Sequence, residues 1–471
     1  MPSVEILFGL AVERFKLGQQ DAALAALGAG IALEPTVPDF HLLRAAILRT
    51  ADSALAAHAA LRATAVAADD SRPHVQLGFG HESAGRPRRA ARSFRRAAAL
   101  APADPQIWLC LARLAYDEAR PDVTISCRQR AVASDAGSES GSLLGIALVA
   151  AGRWREALPL LDLATWRRHG PDADIEPVTS YAKLGHDAEQ IEHLVSAGRL
   201  PPSMAETAAT YRRIQAAVPR DTNPSVTIAG EYRRLLAPTY NRLLYRDPGA
   251  TVDGPAVNPD LDVDKIARTY FESRPQMVVI DDLLTSAALE AVLRFCQDST
   301  IWFTGTYASG YVGAQMADGF AAPILFQIAE ELKARLASII GDAGLQHLWA
   351  FKYDSRFSGI ALHADAARIN VNFWITPDEA NLDPESGGLE IYDVAAPLDW
   401  NFAAYNSDQK AIRAYLERTG SRSINVPHRQ NRAVLFHSDL FHRTGDIHFR
   451  EGYLNRRINV TMLYGMRETA S

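Results

Sequence analysis

The sequence predicts a multidomain α + β protein, with an N-terminal array of helices and a C-terminal antiparallel β-barrel or jelly roll that is backed by helices. Residues 1–217 are rich in Ala and Arg, and their apolar residues recur at the spacing of amphipathic helices. Residues 276–471 contain short β-branched and aromatic runs, which predict strands. Between them, the proline-rich segment 218–275 predicts a connector with short helices.

Composition limits the classes of function. The 471 residues are 48% hydrophobic and 22% charged, which is typical of a folded chain with about two to four domains. The net charge of −6 gives no broad positive field for nucleic acid, and no apolar run approaches the roughly 20 residues of a membrane span. The three cysteines form no CxxC pair. We therefore expect a cytoplasmic protein that binds neither nucleic acid nor membrane.

A repeat underlies the helical half. Gly18, Gly85 and Gly152 are each followed by Ala five residues later and by a large apolar residue nine residues later. Degenerate turns fall midway between them, and Gly185 predicts one more turn. A helix–turn–helix unit of about 34 residues with Gly at its turn resembles the tetratricopeptide repeat. The resemblance implies a concave surface for a peptide or protein partner, with a scaffold or homodimer surface as the alternative.

The C-terminal half predicts two helices followed mainly by strands. The helices are predicted over 286–298 and 321–341. The predicted strands are 277–282, 349–354, 359–363, 368–375, 388–393, 431–437 and 456–465. Two helices followed by short strands at this spacing favour the helix-backed barrel.

Histidines and a carboxylate at strand ends are candidate metal ligands. His363 and Asp365 form an HxD triplet at the end of a predicted strand, and the later stretch FHSDLFHRTG contains His437 and His442. Two histidines and one carboxylate leave three coordination positions open, as in non-heme Fe(II) oxygenases. A second triplet, His437-Ser-Asp439, has only 32 residues after it, too few for the rest of a barrel.

Arg457 is a candidate anion-binding residue. It lies in the strand predicted over 456–465, on which alternation places Arg457, Asn459 and Thr461 on one face. A guanidinium beside a hydroxyl group is suited to binding a carboxylate. The same alternation points Arg456 outward and predicts a surface charge there.

The stretch 276–465 resembles the double-stranded β-helix of the Fe(II)/2-oxoglutarate oxygenases, most closely the prolyl-hydroxylase-like branch. The motifs that carry the resemblance occur in the order of that family. They are Tyr353, His363-Ala-Asp365, the pocket set Asn370, Asn372 and Trp374, the turn SGGLE at 386–390, Phe436-His437-Ser438 leading to His442, and Arg457 leading to Thr461.

The resemblance implies that His363, Asp365 and His442 bind Fe(II), with His437 as the rival third ligand. It also implies that Arg457 pairs with the distal carboxylate of 2-oxoglutarate, the cosubstrate. Further cofactor-binding residues implied in this way are Tyr353, Thr461, Asn370, Asn372 and Trp374. O2 is the other implied cosubstrate, and ascorbate is a further candidate cofactor.

Asp365 bears on the type of reaction. Related halogenases have a small residue in place of this carboxylate, so its presence favours a hydroxylase. The aspartyl/asparaginyl hydroxylases also join tetratricopeptide-like repeats to this barrel, but they lack the carboxylate. The chain therefore resembles their combination of domains without sharing their metal centre.

An insert lies between Tyr392 and Val426, over 394–423, and includes LDWNFAAYN and a helix predicted over 409–420. Inserts between the strands of such barrels often cover the active site. We therefore consider a substrate wall or lid and, as the alternative, a helix packed on the outer sheet. The wall or lid would be formed by Trp400, Phe402 and Tyr405.

The leading hypothesis is a dioxygenase that hydroxylates a peptide or protein side chain, with proline as the favoured target, recruited by the helical repeats. One alternative keeps this chemistry but acts on a small metabolite in biosynthesis. The other is a repeat-based interaction protein without catalysis. The presence of His363, Asp365, His442 and Arg457 together counts against the last, because a barrel released from catalysis has no need of all four.

Overall fold

The structure is a computed structural model that describes residues 3–135, 137–175, 178–220, 225–305, 310–354 and 359–468. The chain divides into two units, Met1–Leu144 and Gly145–Ser471. In the first unit the described residues form helices and turns, whereas the second unit combines helices with β-sheets. Within the described residues, no helix is both long enough and apolar enough to cross a bilayer.

Helical hairpins build the first unit. Its helices are α1 (Val4–Lys16), α2 (Gln20–Leu33), α3 (Pro38–Leu48), α4 (Ser53–Val66), α5 (Ser71–Ser83), α6 (Pro87–Leu100), α7 (Pro105–Asp117) and α8 (Pro121–Ser134), and α9 (Ser138–Ala150) spans the boundary. The first helices of successive hairpins begin at residues 4, 38, 71, 105 and 138, in steps of 34, 33, 34 and 33 residues. The predicted period of about 34 residues is confirmed.

The glycines of the repeat lie at the hairpin turns. Gly18 and Gly85 have φ angles of 73° and 66°, in the left-handed region where Gly has no steric cost. Five residues beyond each of them, Ala23 and Ala90 are fully buried. The degenerate turn near residue 119 has Ala119 at φ 53° in the equivalent position, so the geometry persists without glycine.

The second unit contains ten further helices among its described residues. They are α10 (Trp154–His169), α11 (Tyr181–Ser196), α12 (Met204–Ala217), α13 (Gly230–Leu236), α14 (Val263–Glu272), α15 (Ser286–Asp298), α16 (Pro323–Arg335), α17 (Ala337–Ile340), α18 (Phe402–Asn406) and α19 (Gln409–Thr419). The helix predicted over 286–298 is confirmed. The helix predicted over 321–341 is in fact two, because α16 ends before Leu336 and α17 follows it.

The turn predicted at Gly185 is wrong. Gly185 lies inside α11, where the helix packs closely on α12. A Cβ atom at this position would come within 2.3 Å of Nε2 of Gln215. Glycine therefore permits close packing of two helices here and does not form a turn.

Two antiparallel sheets dominate the second unit, beside a small ribbon. The ribbon strands are β1 (Val178–Thr179) and β2 (Val226–Thr227), and the remaining strands are β3 (Met277–Ile280), β4 (Tyr311–Gln315), β5 (Leu345–Tyr353), β6 (Ile369–Trp374), β7 (Leu389–Ala395), β8 (Ser423–Val426), β9 (Ala433–His437), β10 (Leu440–Thr444) and β11 (Arg457–Tyr464). The larger sheet has the order β3-β9-β6-β11-β5-β4, and the smaller has the order β10-β7-β8. The predicted sheet-rich C-terminal region is confirmed.

The two sheets share a core, so they pack face to face. Trp374 and Phe436 from the larger sheet are fully buried in one cluster with Ile391 from the smaller sheet. Burial of such large apolar side chains is the main stabilising contribution of this unit, at about 1.5–3 kcal/mol for each one. Every residue of β6 is buried, which places this strand at the centre of the larger sheet.

The strand predicted over 359–363 is reduced to a single bridge, between His363 and His442. Upstream of it, the N–H of Ile360 donates to the hydroxyl of Thr444 at 3.0 Å instead of to a main-chain carbonyl. This hydrogen bond to the Thr444 side chain takes the place of a main-chain hydrogen bond between strands. The segment therefore runs beside β10 without forming a regular strand.

The unit boundary differs from the domain boundary that the sequence predicted at 217/218. Helices α10, α11 and α12 belong to the unit that contains the sheets. The predicted connector also packs on this unit, since the N–H groups of Ala256 and Val257 donate to the carboxylate of Glu331. Hydrogen bonds between segments far apart in the sequence produce this arrangement, and helical periodicity carries no information about them.

Candidate metal centre

Three side chains converge between the two sheets. His363, Asp365 and His442 each offer one ligand atom, and these atoms all lie within 4.8 Å of one another. Nε2 of His363 lies 3.7 Å from Oδ1 of Asp365, and Nε2 of His442 lies 3.5 Å from Oδ2. Two imidazoles and a carboxylate form a donor set suited to Fe(II) and similar divalent ions. Of the predicted ligands, the structure therefore brings together these three.

Hydrogen bonds to the backbone orient both imidazoles. Nδ1 of His363 lies 2.8 Å from the carbonyl oxygen of Ala361, and Nδ1 of His442 lies 3.0 Å from that of Leu440. An Nδ1–H group that donates to a carbonyl leaves the Nε2 lone pair free for a metal ion. The two histidines also exchange main-chain N–H···O bonds of 3.0 and 2.8 Å, which fix their separation.

The protonation states of this cluster suit metal binding. Burial lowers the pKa of His363 to about 4, and the neighbouring His442 contributes to the shift. Burial opposes ionisation of Asp365, but the imidazoles of His442 and His363 beside it bring the pKa of this carboxyl below its ordinary value. Metal ligands must be deprotonated, so the residues present fit a divalent ion near neutral pH.

His437, the rival third ligand, does not join the cluster. Its side chain is 32% exposed, and Nδ1 lies 3.9 Å from Oδ2 of Asp439. Asp439 forms an ion pair with Arg467 at 2.5 Å. The carboxylate of the second HxD triplet therefore has a structural role.

Arg457 is fully buried beside the pocket. Its guanidinium donates to the carbonyl oxygens of Gly387 and Gly388 and to Oδ1 of Asn459, and it lies 4.7 Å from the ring centroid of Tyr353. Among the described residues, none places a carboxylate within 4.0 Å of it. Burial lowers the pKa of Arg457 to about 10, so the group stays charged at neutral pH. A buried cation without a counter-ion favours binding of an anion.

The Gly-Gly turn explains how the backbone approaches Arg457. Gly387 has a φ angle of 80°, which suits glycine. A Cβ atom on Gly388 would lie 1.7 Å from the carbonyl oxygen of Val426. Only glycine therefore allows both carbonyl oxygens to reach the guanidinium.

A cavity of about 800 Å³ is lined by Glu189, Tyr353, Asp354 and Arg456, among others. The candidate metal centre opens into a different cavity of about 460 Å³, which Tyr353 also lines. Among the predicted site residues, its lining includes Tyr353, His363, Asp365, Asn372, His442 and Thr461. Nδ2 of Asn372 donates to Oγ1 of Thr461 at 2.8 Å, whereas its Oδ1 has no partner among the described residues. This buried acceptor is available to a ligand or to water.

Arg457, Asn370 and Trp374 lie outside this lining, although Asn459, which accepts a hydrogen bond from Arg457 at 3.0 Å, belongs to it. Nδ2 of Asn370 donates to Oδ2 of Asp365 at 2.7 Å, so Asn370 supports the carboxylate from behind. Trp374 is part of the core between the sheets, and its ring centroid lies 5.9 Å from Cζ of Arg457. The structure thus places Asn370 and Trp374 around the site and not in the cavity wall.

The aromatic wall of the cavity extends beyond Tyr353, which is the one member that the sequence predicted. Trp349, Phe351 and Tyr353 alternate along β5 and line the cavity together with Tyr311 of β4. The period of two in WAFKY was a usable signal for the β5 residues. Tyr311 could not be found in this way, because the sequence analysis predicted no strand there.

The insert contributes to the cavity through other residues than those predicted. Trp400 and Tyr405 pack into a core with Ile412 and Phe441, and Phe402 is 58% exposed. The cavity is instead lined by polar residues of the same insert, namely Asn406, Ser407 and Gln409. The aromatic residues of the insert stabilise it, and the polar turn between α18 and α19 faces the site.

The surface position predicted for Arg456 is wrong. Its side chain does point away from Arg457, but it is only 6% exposed. Helix α11 covers this side of the strand, and Glu189 of that helix forms an ion pair with Arg456 at 2.7 Å.

His428 lies behind Arg457 and was not singled out in the sequence. Burial lowers its pKa to about 3, and the positive charges of Arg457 and Arg432 act in the same direction. The Asp378 carboxylate, 3.7 Å from Nδ1, does not offset this. His428 therefore stays neutral in the folded protein and adds no further positive charge beside Arg457.

We expect His428 to make the protein less stable in mild acid. The unfolded chain binds a proton at His428 near pH 6.5, whereas the folded protein resists this protonation down to about pH 3. The free energy of unfolding therefore decreases as the pH falls from about 6.5 towards 3. Between pH 8 and pH 5 the loss amounts to about 2 kcal/mol in the free energy of unfolding. Urea unfolding of the wild type and of His428→Gln at both pH values measures it. An equal pH dependence in the two proteins would contradict this assignment.

Comparisons with known proteins concern the repeats. A tetratricopeptide repeat family model matches residues 71–114. These residues contain α5 and α6 and most of α7. No curated protein sequence matches the chain. The described helices and this match show an N-terminal tetratricopeptide-like solenoid, a type of fold used for protein interaction.

The solved structures that are similar to part of the chain include those of three proteins. A tetratricopeptide protein of Thermus thermophilus is 18% identical, and the match covers 34% of this chain and 90% of that one, with a TM-score of 0.29. MamA of Desulfovibrio magneticus is 16% identical, and the match covers 34% of this chain and 92% of that one, with a TM-score of 0.31. PilF of Pseudomonas aeruginosa is 15% identical, and the match covers 45% of this chain and 91% of that one, with a TM-score of 0.33.

Proposed function

We propose that this chain is an Fe(II)- and 2-oxoglutarate-dependent dioxygenase that hydroxylates a peptide or protein side chain recruited by its helical repeats. One observation carries the proposal. A cluster of two histidines and one carboxylate lines the cavity beside a buried arginine that has no carboxylate partner among the described residues. The cluster suits a divalent metal ion, and the arginine suits the carboxylate of an oxo acid.

The order of the strands supports a double-stranded β-helix. From β5 onward, the chain crosses repeatedly between the two sheets: β5, β6, β9 and β11 lie in the larger sheet, whereas β7, β8 and β10 lie in the smaller one. The bridge at His363 adds a short segment beside β10 between β5 and β6. This order of strands supports the winding of such a fold.

When bound, Fe(II) with 2-oxoglutarate would supply the chemistry that activates O2 for hydroxylation of a C–H bond. His363, Asp365 and His442 would hold the metal. Arg457 would bind the distal carboxylate of the oxo acid, with Thr461 as a hydrogen-bond partner. The ring of Tyr353, whose centroid lies 4.7 Å from the guanidinium, would help to hold Arg457 in place.

The cavity and the repeats support a peptide or protein substrate. Beyond the metal ligands the cavity wall is formed by aromatic rings and uncharged polar groups, which suits a neutral side chain such as proline. Tetratricopeptide-like hairpins supply a separate surface for a polypeptide. The cavity volume of about 460 Å³ also favours a second candidate, a small metabolite, since it lies within the usual range for small-molecule pockets.

Turnover tests the proposal. We expect the purified protein with Fe(II), 2-oxoglutarate and O2 to release succinate slowly on its own, and faster with a proline-containing peptide library. Stimulation by metabolite extracts but not by peptides would favour the second candidate. Asp365→Ala is the matched inactive control, and succinate release that this variant retains in full would contradict the proposed site.

A further inference from the structure

We propose that helix α11 is a positioning element for the 2-oxoglutarate site. Glu189 on this helix, acting through Arg456, holds in place the two strand ends that carry Tyr353 and Arg457. The identity of the ligand rests on the proposed function. The role of the helix goes beyond it, because sequence analysis assigned residues 1–217 to the repeat domain and not to the catalytic one.

The connection is a cluster of three buried charged residues, and at its edge the 41% exposed Arg212 lies 3.6 Å from Oε1 of Glu189. Nε of Arg456 donates to Oε2 of Glu189 at 2.7 Å, and Nη2 of Arg456 lies 3.3 Å from Oδ2 of Asp354. The Arg456 and Asp354 side chains are only 5% and 6% exposed, and that of Glu189 is 13% exposed. Glu189, Asp354 and Arg456 line the cavity of about 800 Å³, but their side chains are largely buried. Charge-assisted hydrogen bonds are stronger than neutral ones, so this cluster resists displacement.

The cluster lies at the last rung of the β5–β11 ladder. Tyr353 is the last residue of β5, Arg457 is the first residue of β11, and the two are register partners. Their neighbours Asp354 and Arg456 form the ion pair on the opposite side of the same rung. Ends of ladders open more readily than their centres, because pairing continues on one side only. The buried ion pair therefore closes the end of the ladder at which the candidate anion site lies.

Helix α11 is itself fixed to the sheet-containing unit. Nε2 of Gln190 donates to the carbonyl oxygen of Ser299 at 2.8 Å and to the hydroxyl of Tyr453 at 2.9 Å. One turn further on, Nε2 of His193 lies 2.8 Å from Oδ1 of Asp298. Glu189 thus belongs to an anchored helix face, and its carboxylate provides a fixed partner for Arg456.

The metal ligands do not depend on this rung. His363 and His442 are joined by their own main-chain bonds, and Asp365 is held by Asn370 and by the carbonyl oxygen of Ser438. Loosening of the ladder end displaces the guanidinium of Arg457 and leaves the metal cluster in place. The inference therefore predicts a loss of affinity for the oxo acid without a matching loss of affinity for iron.

Glu189→Gln tests the role of the helix. The matched control is Glu192→Gln on the same helix, because Glu192 is 48% exposed and pairs with Arg212 at 2.9 Å. Arg212 also lies 3.6 Å from Oε1 of Glu189, so this control measures any effect that passes through Arg212 instead of Arg456. Under anaerobic conditions we expect Glu189→Gln to raise the Kd for 2-oxoglutarate about tenfold or more, as changes of orienting partners do at metal sites. We expect its Kd for Fe(II), and both constants of the control, to stay close to wild type.

Hydrogen exchange gives a second readout that requires no ligand. In the ligand-free protein, Glu189→Gln and Asp354→Asn should speed amide exchange at the β5–β11 end and not in β6. Exchange and 2-oxoglutarate affinity that match the Glu192→Gln control would overturn the inference, as would equal losses of iron and oxo-acid affinity. Wild-type protein that binds no 2-oxoglutarate would overturn the proposed function, whereas wild-type binding with unchanged variants would overturn only the role of α11.

Discussion

Arg457→Gln is expected to weaken 2-oxoglutarate binding by about 100-fold, which corresponds to about 3 kcal/mol for a buried, charge-assisted pair. The guanidinium is fully buried, and its described hydrogen-bond partners are carbonyl and amide oxygens and not carboxylates. A bound carboxylate would therefore be its counter-ion. Isothermal titration of the Fe(II)-loaded protein under anaerobic conditions measures the effect.

The expected change in stability is smaller. Arg457→Gln removes a buried charge that has no carboxylate partner among the described residues, which relieves a desolvation cost. It also removes donors from the carbonyl oxygens of Gly387 and Gly388, so the two effects oppose each other and the free energy of unfolding of the ligand-free variant should change by less than about 2 kcal/mol. Arg443→Gln is a matched control, because Arg443 follows His442 on β10, is 43% exposed and pairs with Glu390. Unchanged affinity in Arg457→Gln, or equal losses in both variants, would contradict the assignment of Arg457.

His442→Ala is expected to lower the affinity for Fe(II) by more than about 100-fold, because even the partners that merely orient metal ligands are worth about 10- to 100-fold. His437→Ala serves as the paired variant, five residues earlier in the same stretch. Its side chain is one-third exposed and lies outside the cluster, so its iron affinity should match that of the wild type. Titration with Fe(II), followed by metal analysis after gel filtration, compares the two.

The same two variants also test which histidine is the third metal ligand. If His437→Ala loses iron and His442→Ala retains it, the third ligand has been assigned to the wrong histidine. If both variants retain iron, the metal binds elsewhere, and the cluster with His363 and Asp365 has another role. Circular dichroism of both variants establishes that either loss is local and not a consequence of unfolding.

The sequence predicted the elements of the site that depend on local periodicity. Alternation along β11 placed Arg457 and Thr461 on one face, and the short spacing of His363 and Asp365 allowed both to converge at one strand end. The Gly-Gly turn was also recognised, although its role became clear only when the carbonyl oxygens of Gly387 and Gly388 were found on the Arg457 guanidinium.

Features that depend on distant contacts could not be predicted in this way. The ion pair of Glu189 with Arg456 joins residues 267 positions apart, and alternation alone could not show that a helix covers the outer face of β11. The polar turn of the insert faces the cavity because Tyr405 and Trp400 are used in the core. The sequence suggested that Trp400, Phe402 and Tyr405 line the cavity, because it does not distinguish an aromatic residue in a cavity wall from one in a core.

The most direct test of the account is an anaerobic absorption spectrum of the wild-type protein with Fe(II) and 2-oxoglutarate. The account predicts a visible charge-transfer band, which is the signature of a keto acid chelated to Fe(II) at the cluster of His363, Asp365 and His442. The band should be absent in His442→Ala and should persist in His437→Ala. A well-folded wild-type protein that binds Fe(II) but develops no band on addition of 2-oxoglutarate would contradict the account.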